Sequence, residues 1–261
     1  MRGLAGKIVA ITGGAGDIGR ATARRLSEEG ARVHLLDVIG AAEGERVTRE
    51  SEARAYWLCS QTDRDAVDQT FASIASREGR LDCVILNAAR TSGAGIAEMD
   101  MEEWRAIVEL NLHGPVECSQ AALRIMLGQP IDAGGVRGKI LFTGSQCQRR
   151  PEHNGVAYQV TKRALERFCE QLAYDHAADR VLSNMLLPGI LNAGLTRRIL
   201  QAKPELTQVL LDRIPMGEFG TPEQCAAAFA FLCSEESNYM TGASLVVDGG
   251  CVIGRAERFQ G

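Results

Sequence analysis

The chain has 261 residues, 45% of them apolar and 24% charged, which is the composition of an ordinary globular protein. A formal net charge of −4 argues against a nucleic-acid partner, and no apolar run approaches the roughly 20 residues of a membrane span. Eight cysteines include no CxxC pair and no cysteine–histidine cluster at zinc spacing, so no metal site is expected.

The N-terminus runs straight into a strand-like segment without a leader pattern, which predicts a cytoplasmic protein. The first strand, Ile8–Thr12, is followed by Gly13-Gly14-Ala15-Gly16-Asp17-Ile18-Gly19 and a helix over 18–29. A glycine-rich turn from strand to helix lets the backbone approach a pyrophosphate. The helix N-terminus then offers free N–H groups and a positive end. The second strand, 33–37, ends at Asp37, 18 residues beyond Gly19. A carboxylate there accepts hydrogen bonds from ribose hydroxyls and repels the 2′-phosphate of NADP. No arginine follows it directly, so NAD is the expected cofactor.

Helices over 41–51 and 64–77 bracket a strand over 55–59, and a fourth strand covers 83–87. A long helix over 101–127 contains Asn111-Leu112-His113-Gly114, which reads either as a water-holding kink or as a structural asparagine. The fifth strand, 139–143, ends just before Ser145, and a helix over 157–177 carries Tyr158 and Lys162. After a strand over 181–187 comes an amphipathic segment, 189–215, which is either a flap over the site or a surface helix pair. A helix over 222–234 and the strand Ser244–Val247 complete the chain. The strands are short, apolar and mostly unalternating, as strands buried on both faces are. Their alternation with helices predicts right-handed crossovers, a parallel sheet covered on both faces, and one α/β domain over 1–261. Ligands of such sheets bind beyond the carboxyl ends of the strands.

Tyr158 and Lys162 lie four residues apart, on one helix face. A phenol is a poor base at neutral pH, and a nearby ammonium is expected to lower its pKa. Such a tyrosine exchanges a proton with an alcohol as hydride moves between carbon and cofactor. Ser145, at a strand's carboxyl end, is placed to bond the reacting oxygen.

The ordered set Thr12-Gly13, Ile18-Gly19, Asp37, Asn87-Ala88, Asn111, Ser145, Tyr158, Lys162, Pro188-Gly189 and Val247-Asp248-Gly249-Gly250 resembles the short-chain dehydrogenase/reductase family over essentially the whole chain. The resemblance implies a doubly wound Rossmann-type fold with a seven-stranded parallel sheet. It implies NAD-dependent interconversion of a secondary alcohol and its ketone. Asn111, Ser145, Tyr158 and Lys162 become the catalytic tetrad. Ser145 would orient the substrate oxygen, Tyr158 would transfer the proton, Lys162 would also hold the nicotinamide ribose, and Asn111 would anchor a proton-relaying water. The cofactor would meet Gly13, Asp17, Ile18, Gly19, Asp37, Ser60, Asn87, Ala88, Pro188, Gly189, Ile190 and Leu191, besides Tyr158 and Lys162. Homotetramers or homodimers would pack through the helices 101–127 and 157–177.

Four positions depart from the family pattern. Asp17 stands where glycine is usual and is expected to turn away and cap the first helix. Ala89 replaces a glycine, Ser60 stands where an aspartate commonly meets adenine, and Ala193 replaces a threonine for which Thr196 is an offset substitute. The segment after Ser145, Gln146-Cys147-Gln148-Arg149-Arg150-Pro151-Glu152-His153-Asn154, is unusually polar. With Asn192 in the flap, Gln146, Gln148 and Arg149 point to a polyol, sugar or hydroxy-acid-like substrate. The competing readings are an NADPH-dependent carbonyl reductase, such as a 3-oxoacyl reductase, and a non-catalytic nucleotide-binding protein of the same fold.

Overall fold

The computed structural model describes residues 1–254; the last seven of the single expected domain, 255–261, lie outside the described residues. Seven strands form one parallel sheet among them: β1 (Ile8–Thr12), β2 (Arg32–Asp37), β3 (Ala55–Leu58), β4 (Cys83–Leu86), β5 (Gly138–Thr143), β6 (Val181–Pro188) and β7 (Ser244–Val247). Their order across the sheet is β3-β2-β1-β4-β5-β6-β7, and every pairing is parallel. The chain winds outward from β1 to β3 and then returns to β4 on the other side of β1. That reversal opens a crevice beyond the carboxyl ends of β1 and β4, the usual ligand site of such sheets.

Alternation along β1 shows why the strands read as unbroken apolar runs. Ile8 and Ala10 pack into a core with Phe71, Ile74 and Phe142, on the side of α3 (Arg64–Glu78), α5 (Gly114–Gly128) and α6 (Val156–His176). Val9 and Ile11 face the opposite core with Leu26, Val33, Leu35 and Phe229, on the side of α1 (Asp17–Glu28) and α9 (Pro222–Cys233). Each face needs apolar side chains, so the period of two is hidden. Full burial of one such side chain contributes roughly 1.5–3 kcal/mol. Helix α2 (Ala41–Glu50) lies between β2 and β3 in the chain.

The long helix expected over 101–127 runs unbroken but is not uniformly α-helical. It consists of α4 (Met101–Val108), a π-helical turn at Glu109–His113, and α5. Pro115 has no N–H to offer the carbonyl of Asn111, four residues earlier, so the regular ladder cannot close there. Gly114 sits so close to Gln61 that an added Cβ would lie 2.8 Å from its Cγ. The segment after β6 holds two short helices, α7 (Gly194–Ala202) and α8 (Leu206–Leu211). No helix among the described residues is long and apolar enough to cross a membrane.

Candidate active site

The turn after β1 is shaped by glycine. Gly13 has φ +62°, and an added Cβ would lie 2.7 Å from Ala88 Cα. At Gly16 the wall is bare backbone, with only Gly13 O within contact range, at 3.4 Å, of an added Cβ. Asp37 ends β2 beside this turn. Its Oδ2 accepts from Ala15 N at 2.9 Å and its Oδ1 from Val38 N at 2.7 Å. Open backbone N–H groups at the start of α1, next to a fixed carboxylate, fit the pyrophosphate and ribose of a dinucleotide.

A chain of hydrogen bonds joins this end to the chemistry. Thr12 Oγ1 accepts from Asn87 N at 3.1 Å and Ala88 N at 3.3 Å. Asn87 Nδ2 donates to Gly13 O at 3.0 Å, and Thr143 Oγ1 donates to Asn87 Oδ1 at 3.1 Å. Lys162 Nζ then donates to Thr143 O at 2.6 Å. The ends of β1, β4 and β5 are thereby fixed relative to one another and to α6. Thr143 was not picked out from the sequence; its only signal was a polar residue closing an apolar strand.

Ser145 and Tyr158 line the same cleft of about 290 Å³ as Gly16, Asp17, Ile18, Asn87, Pro188 and Gly189. Ser145 caps the short 3₁₀ turn Gln146–Gln148. Its Oγ accepts from Cys147 N at 3.3 Å and from the Cys147 thiol at 3.1 Å. With both lone pairs occupied, the hydroxyl has its proton left to donate. Lys162 is buried with its Nζ 5.5 Å from the centre of the Tyr158 ring.

Electrostatics here differ from the expectation of a tyrosine acidified by its lysine. Burial pushes the Tyr158 phenol above its ordinary range, the Cys147 thiol adds to this, and a hydrogen bond with Ser145 works against it. Burial also lowers the Lys162 ammonium, to about 8, with Cys147 opposing. Removal from water, which disfavours both charged forms, outweighs the attraction between them. Tyr158 is therefore a neutral proton donor and acceptor in the cofactor-free chain.

Asn111 is buried, and its side chain clamps a loop instead of facing the cleft. Oδ1 accepts from Arg90 N at 2.9 Å, while Nδ2 donates to Arg90 O at 2.8 Å and Thr161 Oγ1 at 3.3 Å. Pro115 has no N–H to give the Asn111 main-chain carbonyl, so the regular bond from four residues on is absent there.

Several expected contacts lie elsewhere. Asp17 does not cap α1, whose N-cap is Gly16 without a side-chain bond. Its carboxylate instead reaches α7, accepting from Gly194 N at 2.7 Å and pairing with Arg197 at 3.5 Å. Ser60 Oγ shares a hydrogen bond of 2.8 Å with Thr62 Oγ1 and accepts from Thr62 N at 3.3 Å. Gln148 accepts from Ser145 N at 3.0 Å and donates to Met185 Sδ at 3.4 Å, so its amide holds the turn rather than awaiting substrate. Arg149 pairs with buried Glu166, which also binds Arg163 and Ser244. Ile190 lines an adjoining groove with Met216 and Phe219, which shares Gly189 and Leu191 with the cleft, and Asn192 is exposed. From the flap segment the cleft takes Leu191, Ala193, Gly194 and Thr196.

Gln146 behaves differently. It is 4% exposed, its Nε2 donates to Glu152, and its Oε1 has no partner. Glu152 also pairs with Arg213, which follows α8, so this polar chain ties the loop after Ser145 to the flap.

A family profile described as enoyl-(acyl carrier protein) reductase matches residues 13–252. The chain is 34% identical over 270 aligned positions to a cyclohexanol dehydrogenase of Rhodococcus sp. strain TK6, covering 95% of this chain and 96% of that protein. It is 30% identical over 254 positions to a 3-oxoacyl-[acyl-carrier-protein] reductase of Thermotoga maritima, covering 96% and 99%. Among solved structures, an NAD+-bound xylitol dehydrogenase superposes with a TM-score of 0.86 at 28% identity, covering 95% of this chain and all of the other.

Proposed function

The chain belongs to the short-chain dehydrogenase/reductase family and is an oxidoreductase acting on CH–OH groups, and from that premise we propose that it oxidises a small secondary alcohol carrying a second oxygen function, with NAD as hydride acceptor. The observation that carries this reading is one cleft shared by the nucleotide turn, Ser145 and Tyr158. When bound, the nicotinamide supplies the hydride chemistry. Ser145 turns its proton from Tyr158 to the substrate oxygen, stabilising charge that develops there. Tyr158 takes the hydroxyl proton as the alcohol is oxidised, or returns it to the ketone. Lys162, fixed by Thr143, provides a positive charge under the ring. The Asn111 carbonyl holds the water through which the proton reaches solvent.

Asp37 supports NAD over NADP, because a carboxylate at the end of β2 repels a 2′-phosphate. This also weighs against an NADPH-linked 3-oxoacyl reductase. The eight free cysteines support a reducing, cytoplasmic compartment. Exposed Val160 and Tyr174 on α6 support assembly into a homodimer or homotetramer through that helix.

The polar substrate rests on Gln146. Gln146 directly follows Ser145, and its buried amide oxygen has no partner, a costly state that a substrate hydroxyl reaching it past the cleft wall would relieve. The Nε2–carboxylate bond to Glu152 fixes which end of the amide is left over. Wild type is expected to show higher kcat/KM with xylitol and meso-2,3-butanediol than with cyclohexanol. Gln146→Leu should reduce that advantage by about 1–3 kcal/mol of transition-state binding. Equal kcat/KM for diols and cyclohexanol, unchanged by the substitution, would remove the basis for a polar substrate.

A further inference from the structure

We propose that Asp17 is a built-in competitor for the cofactor's phosphates, latching the flap to the nucleotide turn in the cofactor-free enzyme and yielding when a dinucleotide enters. The inference rests on the reading that this cleft takes a dinucleotide.

Asp17 is the first residue of α1, yet its carboxylate is spent on a segment 177 residues away. It accepts from the N–H of Gly194, the first residue of α7, and faces Arg197 one turn further on. Ala193, the N-cap of α7, makes no side-chain capping bond of its own. The carboxylate of the first residue of one helix thus meets a free donor at the N-terminus of another. Gly16, Asp17 and Ile18 form one wall of the cleft and Ala193, Gly194 and Thr196 another, with Ser145 and Tyr158 in the same lining. The contact therefore crosses the space that leads to the reacting groups. Gly194 has φ +48°, a backbone state that favours glycine, and an added Cβ would meet nothing within 4 Å.

A phosphate at the N-terminus of α1 would sit against the Asp17 carboxylate and be repelled by it. The same phosphate is a suitable partner for the Gly194 N–H and the Arg197 guanidinium. Cofactor entry exchanges one anion for another on the same donors, and the displaced carboxylate then favours release. Asp17 lowers dinucleotide affinity and couples re-latching of the flap to cofactor loss.

The test uses wild type, Asp17→Gly and Asp17→Asn. Asparagine keeps an oxygen for the Gly194 N–H but removes the charge. Without cofactor, amide exchange over 194–202 is expected to be several-fold faster in Asp17→Gly than in wild type, with Asp17→Asn between them. In a fluorescence titration, the NADH Kd should fall about 10-fold in Asp17→Gly and less in Asp17→Asn. Unchanged flap exchange, or weaker NADH binding by both variants, would overturn the latch. Failure of wild type itself to bind NADH would overturn the dinucleotide reading, which is distinguishable because exchange is measured without cofactor.

Discussion

Tyr158→Phe is expected to lower kcat for alcohol oxidation by about 10²–10⁴-fold, the range that positioned acid–base groups supply. The substitution removes one oxygen and leaves the ring in place. Its effect on folding should stay within about 1–2 kcal/mol, the cost of leaving the Ser145 proton without a partner. Ser145 cannot replace the phenol as a base, because both of its lone pairs accept from Cys147. NADH should still bind with at most a few-fold loss of affinity, since the nucleotide turn and Asp37 are untouched and only one of its contacts, the Tyr158 oxygen, is removed. Turnover within a few-fold of wild type, measured beside an NADH titration, would mean that this side chain does not carry the proton. That result would also revive a non-catalytic, nucleotide-binding role for the chain.

The second large effect is at Lys162. Lys162→Met should reduce kcat by about 10²–10³-fold, as loss of one preorganised electrostatic group typically does. Stability at neutral pH should change little. Methionine leaves the Thr143 carbonyl without its donor, which costs about 1–3 kcal/mol. It also relieves the burial of an ammonium, and depression of that group to about 8 corresponds to about 3 kcal/mol. These terms oppose each other. Between pH 8 and the ordinary lysine value of 10.5, the unfolded chain binds a proton that the folded chain does not. Wild-type stability relative to the variant should therefore rise with pH across that window and be flat below it. Urea unfolding at several pH values measures this difference. A difference that is constant through the window would show that Lys162 is not depressed by burial.

The sheet was legible because its strands are buried on both faces, so each appears as a short apolar run with no alternation to misread. The reacting residues were legible by their order and by their places at strand ends. Longer-range pairings were not. Asp17 reads locally as a helix cap, but its partner is Gly194, and nothing in the first turn of α1 announces that contact. Arg149 reads as a loop charge near substrate, but a buried carboxylate at Glu166 claims it. The π turn at Glu109–His113 is too short to disturb helical periodicity, although Pro115 marks the missing donor. The Tyr158–Lys162 spacing predicts attraction between charges, whereas burial of both groups decides their titration. Depth in the fold is a tertiary quantity that two residues at i and i+4 do not reveal.

The most direct test of an NAD-linked alcohol dehydrogenase built on this cleft is the initial rate of nicotinamide reduction by wild type with xylitol or meso-2,3-butanediol, compared between NAD and NADP. The account predicts substrate-dependent reduction of NAD, with kcat/KM favouring NAD by about 100-fold or more, a difference of about 2.8 kcal/mol set by the Asp37 carboxylate. A preference for NADP, or reduction of neither cofactor by any secondary alcohol, would contradict it.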